Sequence, residues 1–312
     1  MQLVDVTRPA HGAYANLEDL IGLRFSARQL KLARRNRALA VLVGPNKSNF
    51  RGRGIDFEEV RNYQPGDDIR SIDWRVTART SEAHTKMFRE ERERPVLVAI
   101  DQRSSMFFGS SYCFKSVLAA HVASLLAWSA LNAGDRVGGL VFNDSGHQEI
   151  RPRRSRKTVL SFLSQVAQYN RELPGEVGVS SSFAEVLANL RRIARPGSSL
   201  FIVSDFRGAH SARAREQLFQ LAQHIEITGI ACSDPLEAEL PVAGRYAVTD
   251  GNARSELDTA DKKLRLNFSE RRQQESELLS TDFLKLGLPL LQATTNTSPF
   301  SLLQRFYGEQ RR

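Results

Sequence analysis

The stretch Pro95-Val96-Leu97-Val98-Ala99-Ile100-Asp101 constrains the fold more than any other. Five apolar residues run unbroken, two of them valine, and stop at an acid. Polar residues do not alternate with them, so an extended segment here needs cover on both faces, as in a parallel sheet lying between helices. Asp101 then falls at the carboxyl end of a strand, where open α/β sheets bind their ligands. Leu200-Phe201-Ile202-Val203-Ser204-Asp205 repeats the design. Helical patterns over 114–132, 155–169, 181–194, 211–223, 265–285 and 299–307 alternate with strand patterns over 135–142, 225–231 and 288–293. The strand at 135–142 is expected to pair with 148–150 across the turn Asn143–Gly146. This alternation predicts an α/β fold with a doubly wound, mostly parallel sheet.

Upstream of Pro95 the pattern changes. Residues 1–50 read as a basic helical arm: Leu20, Leu23, Leu30 and Leu32 mark one or two helices within 17–43, and Arg28, Lys31, Arg34, Arg35 and Arg37 load the segment with charge. The arm is expected to fold back onto the body. Residues 51–94 hold too little apolar material for a core of their own and read as a small β-rich appendage. Residues 95–312 form the main domain, with an insertion near 232–262 that carries a hairpin signal at Asp250-Gly251.

The formal charge of +9 suits an acidic partner, or simply a solvated basic surface. Two widely spaced cysteines, Cys113 and Cys232, fit a reduced, cytoplasmic setting. No run has the length and apolarity of a membrane span, and the first residues do not read as a signal peptide. The chain has no P-loop, no dinucleotide fingerprint, no histidine spacing suited to zinc and no nucleophile elbow, which sets those enzyme classes aside.

Neighbouring parallel strands would deliver Asp101 and Asp205 to one sheet edge. Hydroxyls at Ser104 and Ser105 follow the first acid, and Ser180-Ser181-Ser182 opens the helix at 181–194. Carboxylates with hydroxyls and water form the oxygen set that suits Mg²⁺ or Mn²⁺. Taken singly, Ser181 and Asp205 read as helix caps.

Three segments add a resemblance. These are Gly52-x-Gly54-x-Asp56-Phe57, then Arg61-x-Tyr63-x-Pro65-Gly66-Asp67-Asp68-x-Arg70-x-Ile72-Asp73-Trp74-Arg75, then Ala78-Arg79. Together they closely resemble the signature of a bacterial family catalogued as domain of unknown function 58, whose body is similar to a von Willebrand factor A-type domain. The resemblance implies a metal-ion-dependent adhesion site with an Asp-x-Ser-x-Ser turn, a hydroxyl from a second loop and a later acid. Asp101, Ser105, Ser181 and Asp205 take those positions, but Arg103 stands where the middle serine belongs. Two readings follow: a bound Mg or Mn ion, or Arg103 supplying the positive charge between the acids.

The same resemblance implies work with a MoxR-type AAA+ ATPase. The expected function is a non-enzymatic, cytoplasmic adaptor that assembles or remodels protein clients through the carboxyl edge of the sheet. The alternatives are a metal-dependent hydrolase using Asp101 and Asp205, and nonspecific nucleic-acid binding through 24–37, which no aromatic stacking platform accompanies. In the upstream signature, Asp67, Asp68, Arg70, Asp73 and Arg75 either surround an exposed docking Trp74 or pair among themselves about a buried one. The buried reading is preferred, since tryptophan is usually largely buried.

Overall fold

The computed structural model describes residues 5–32, 56–64, 72–80, 82–89, 94–172, 182–249 and 254–308. They fall into two units, Asn49–Arg94 and the rest of the chain, each taken by itself.

The N-terminal segment begins with a short helix, α1 (Leu17–Gly22), capped by the Asn16 side chain, and continues through a 3₁₀ turn at Ser26–Gln29. Of the one or two helices expected within 17–43, the described part thus holds a short helix and a 3₁₀ turn. The cause is tertiary. The Leu20 carbonyl accepts from Ser124 Oγ at 2.6 Å and Trp128 Nε1 at 3.1 Å, and the Leu30 carbonyl accepts from Ser129 Oγ at 3.0 Å. These side-chain donors hold the turns that let Leu20, Leu23, Ala27, Leu30 and Leu32 all enter the core. The segment thus belongs with 95–312 and is not a domain apart. Arg24 and Arg28 lie over the ring of Phe25, while Arg34, Arg35 and Arg37 are outside the described residues.

In the second unit, β1 (Asp56–Asn62) pairs antiparallel with β2 (His84–Arg89), from Asp56↔Arg89 to Asn62↔His84. Between them runs α2 (Trp74–Thr80), whose first turn is capped by Asp73 Oδ1, accepting from the N–H groups of Arg75 and Val76. Trp74 is 69% exposed, which overturns the expectation of a buried anchor. It opens a helix with no buried residue. Arg75 and Arg79 are exposed on the same helix, Arg61 lies in β1, and Tyr63 is half-buried, its N–H donating to the Ala83 carbonyl. Gly52, Gly54, Pro65, Gly66, Asp67, Asp68 and Arg70 lie outside the described residues.

The larger unit continues with β3 (Pro95–Asp101), α3 (Lys115–Asn132), β4 (Arg136–Phe142), β5 (His147–Arg153), α4 (Arg156–Arg171) and α5 (Phe183–Ile193). Next come β6 (Ser199–Ser204), α6 (Ala212–Ala222), β7 (Glu226–Ser233), α7 (Pro235–Ala238), β8 (Arg245–Thr249) and β9 (Arg254–Asp258). The unit ends with α8 (Lys262–Lys285), β10 (Leu290–Thr294) and α9 (Pro299–Tyr307). Among the described residues, six strands form a sheet in the order β10-β7-β6-β3-β4-β5, parallel throughout except for the antiparallel edge strand β5. The unbroken apolar run of β3 now has its reason. Val96, Val98 and Ile100 face the layer of α3, α4 and α9, and Leu97 and Ala99 face that of α5, α6 and α8.

Helix α3 is buried from Lys115 to Ala130, which accounts for its alanine-rich sequence. Gly139 lets α4 lie close on β4: a Cβ there would sit 2.3 Å from the Val98 carbonyl oxygen and 2.8 Å from the Phe162 ring. The insertion after β7 consists of α7 and the β8–β9 hairpin, whose tip at 250–253 is outside the described residues. No helix among the described residues is long and apolar enough to cross a membrane.

Candidate functional site

Strands β3 and β6 are hydrogen-bonded neighbours in parallel, so their carboxyl ends lie together. Asp101 ends β3 and is fully buried. Arg103 folds back onto it: Nε lies 3.0 and 3.1 Å from the two carboxylate oxygens and Nη2 lies 2.7 Å from Oδ2. The Arg103 backbone N–H donates to Oδ1 at 2.9 Å, and Ser204 Oγ donates to Oδ2 at 2.6 Å. The guanidinium also donates through Nη1 to the Arg207 carbonyl, and it lies over the rings of Phe142 and Phe183. A planar cation with several donors suits this two-pronged pairing, which a lysine could not reproduce.

Asp205 follows β6. Its Oδ2 takes the Lys115 ammonium at 3.2 Å, and its Oδ1 accepts the Arg207 N–H at 3.0 Å and lies 3.8 Å from Arg103 Nη2. Lys115 opens α3 with its side chain almost wholly buried, and its Nζ also contacts Glu237 Oε1 at 2.6 Å. Glu237 belongs to the capping box of α7, where its other oxygen accepts the Asp234 N–H, and it is approached by Arg272 of α8 at 3.7 Å. The edge is thus a chain of alternating charge running Asp101, Arg103, Asp205, Lys115, Glu237, Arg272. Two loop contacts flank it: Asp144 accepts the Ser104 N–H, and Asp234 accepts the Ser110 N–H and the Thr295 hydroxyl.

The two strand-end acids titrate in opposite directions. Burial pushes the Asp101 carboxyl up, and Arg103 offsets only part of that. Burial also acts on Asp205, but the Lys115 charge, the Arg207 N–H and Arg103 outweigh it and hold the carboxyl below its usual range. Burial opposes the charge on Arg103, yet Asp101 and Asp205 raise its pKa further, so it remains a cation.

A divalent ion needs carboxylate oxygens that no other cation holds. Here both Asp101 oxygens face a guanidinium and Asp205 is shared by Lys115 and Arg103. Among the described residues, no group of three or more His, Cys, Asp or Glu side chains could hold an ion. The described residues at this edge do not fit Mg or Mn. The Ser105 hydroxyl is buried without a hydrogen-bond partner, though close enough to help lower the Asp205 pKa. Ser181 lies outside the described residues, and the residue that caps α5 is Ser182, in a capping box with Glu185.

Of the residues picked from sequence, Asp101, Arg103, Ser105 and Asp205 come together, whereas Lys115, Glu237 and Arg272 were missed. Lys115 left a signal: it is the one Lys, Arg, Asp or Glu between Arg103 and Asp135, at the head of an apolar helix. Exposed aromatics stand on the loop that leads into Lys115. Phe108, whose carbonyl accepts the Lys115 N–H, is 40% exposed, and Tyr112 is 47% exposed.

This architecture defines a mixed α/β protein whose mostly parallel sheet ends in acids already neutralised by cations. The chain belongs to the family described as protein of unknown function DUF58, whose model matches residues 59–278. It is 28% identical over 291 residues to Uncharacterized protein Rv1480 of Mycobacterium tuberculosis, covering 93% of this chain and 90% of that one. A stretch of 49 residues is 43% identical to Uncharacterized protein YeaD of Bacillus subtilis, 16% of this chain and 12% of that protein. Among solved structures, the conserved hypothetical protein BatB from Bacteroides thetaiotaomicron is similar with a TM-score of 0.43 and 18% identity, over 67% of this chain and 93% of that one.

Proposed function

We propose that this protein is a non-enzymatic interaction adaptor with a von Willebrand factor A-like body. It works in the cytoplasm with a MoxR-type AAA+ ATPase to assemble or remodel protein complexes, and its contact surface is the carboxyl edge of the sheet. The observation that supports this reading is the pairing of exposed Phe108 and Tyr112 with a frame of buried, mutually satisfied charges. Exposed aromatics on a rigid polar frame resemble the centre of a protein interface.

The charges fix the shape of the loops rather than reach for the partner. Arg103 is fully engaged with Asp101 and the Arg207 carbonyl, so a partner's acid has no free guanidinium to meet. Strand-end acids that are already ion-paired suit a rigid frame better than a base that must gain and lose a proton. Cys113 and Cys232 are free, buried thiols, which agrees with a reducing compartment.

The test is direct binding to a purified MoxR-type ATPase from the same organism, measured by biolayer interferometry. Wild type should bind, and F108A/Y112A should bind about tenfold more weakly at unchanged melting temperature, since aromatic anchors dominate interface energy. A wild type that fails to bind would sink the adaptor reading.

A further inference from the structure

The far end of the sheet holds a second, unexplained surface. In the β3–β4 register, Phe142 pairs with Asp101 at the carboxyl edge and Arg136 pairs with Pro95 at the other end. Six residue steps along the strand separate the two, about 20 Å. At that far end Arg136, Arg151, Arg153, Arg156 and Lys157 are all exposed, and none joins an ion pair among the described residues. Arg136 donates to the Pro152 carbonyl, which ties the start of β4 to this group.

Edge protection explains part of the pattern. Strand β5 is the edge of the sheet among the described residues, and the charges of Arg151 and Arg153 would repel the same strand of a second copy. It does not explain Arg156 and Lys157. They occupy the first turn of α4, which has no acid, and positive charge is disfavoured at a helix amino terminus. That cost has no return within the described residues, so the strip is shaped for something negative outside the chain.

The host strand decides which kind of anion. Among the described residues, the outer side of β5 has no strand partner. An extended polypeptide can use free edge backbone groups by adding as a further strand, whereas neither a DNA duplex nor a lipid surface can. Four of the five cations are arginines, whose planar fork matches carboxylates in pairs. We propose that β5 and the start of α4 form a docking site for an extended acidic segment of a partner protein. The segment adds alongside β5, and its carboxylates meet Arg151, Arg153, Arg156 and Lys157. Glu149, the acid on β5, sets the register, because the residue opposite it must be neutral or basic. One strip thus repels its own copies and admits a strand of opposite charge. The site lies apart from the Asp101–Asp205 edge, and its test does not depend on the adaptor reading.

The experiment uses the full chain and a labelled peptide of about a dozen residues in which glutamate alternates with valine or threonine. Anisotropy gives the affinity, and amide hydrogen exchange reports on β5. Wild type should bind the peptide and the β5 amides should gain protection. R153E/R156E, altered only at exposed positions, should bind at least about tenfold more weakly. R213E, a charge reversal at an exposed position of α6, should bind like wild type. Phosphatidylglycerol vesicles or duplex DNA that bind more tightly than the peptide at equal salt would overturn the proposal. So would peptide binding that survives charge reversal, binding that leaves the β5 amides unprotected, or no binding at all.

Discussion

Lys115→Met removes one charge from the centre of the carboxyl edge and keeps most of the buried stem. The lost ammonium lies 3.2 Å from Asp205 and 2.6 Å from Glu237, with the lysine side chain 1% exposed. Removing one partner of a buried pair typically costs about 3–5 kcal/mol, because the other charge is left without compensation. Here Arg103 at 3.8 Å from Asp205 and Arg272 at 3.7 Å from Glu237 remain as weaker partners. We therefore expect the lower part of that range, about 3 kcal/mol, or a melting temperature lower by roughly 6–10 °C. The assay is urea unfolding in a double-mutant cycle with D205N. The double variant should be more stable than the sum of the singles predicts, by about 2 kcal/mol.

A pH signature accompanies the loss. The Asp205 carboxyl is held low in the fold, so its stabilisation is present above the ordinary carboxylate range and is lost as pH falls through the folded value. Removing Lys115, the largest downward influence, raises that folded value, and acid destabilisation begins at a higher pH. A K115M variant within about 1 kcal/mol of wild type, and additive with D205N, would refute the reasoning.

Arg103→Ala strands Asp101 in the interior and should cost about 3–5 kcal/mol in urea unfolding, with Arg103→Lys recovering only part of it. Burial pushes His121 down to about 4, so it is neutral in the fold. Its contribution should be complete above about pH 6.5 and fade by about 3 kcal/mol as pH falls to 4. Matching wild-type and H121Q stability profiles across that window would contradict this. Gly139→Ala places a methyl against the Val98 carbonyl and the Phe162 ring and should lower stability by about 1–3 kcal/mol, measured by calorimetric melting.

The body was legible because burial on two faces writes an unmistakable pattern. The strands ending at Asp101 and near Asp205, and the alanine-rich helix between them, stand within a few residues of where the apolar runs place them. Periodicity failed where hydrogen bonds from distant side chains set the backbone. Ser124, Trp128 and Ser129 break the N-terminal leucine pattern into a short helix and turns, and they sit about a hundred residues away. At the site, strand ends announced the two acids and the turn announced Arg103. Glu237 and Arg272 gave no local sign, since Glu237 reads as a cap residue and Arg272 as one charge among many on α8. Trp74 misled because average burial says little about a residue opening a helix that has no buried residue.

The most direct test of the central claim, that arginine and lysine organise this edge in place of an ion, is calorimetric titration of Mn²⁺ into wild type and Asp101→Asn. The two traces should be the same, with no saturable binding at this edge. A saturable wild-type isotherm that Asp101→Asn abolishes would contradict the account.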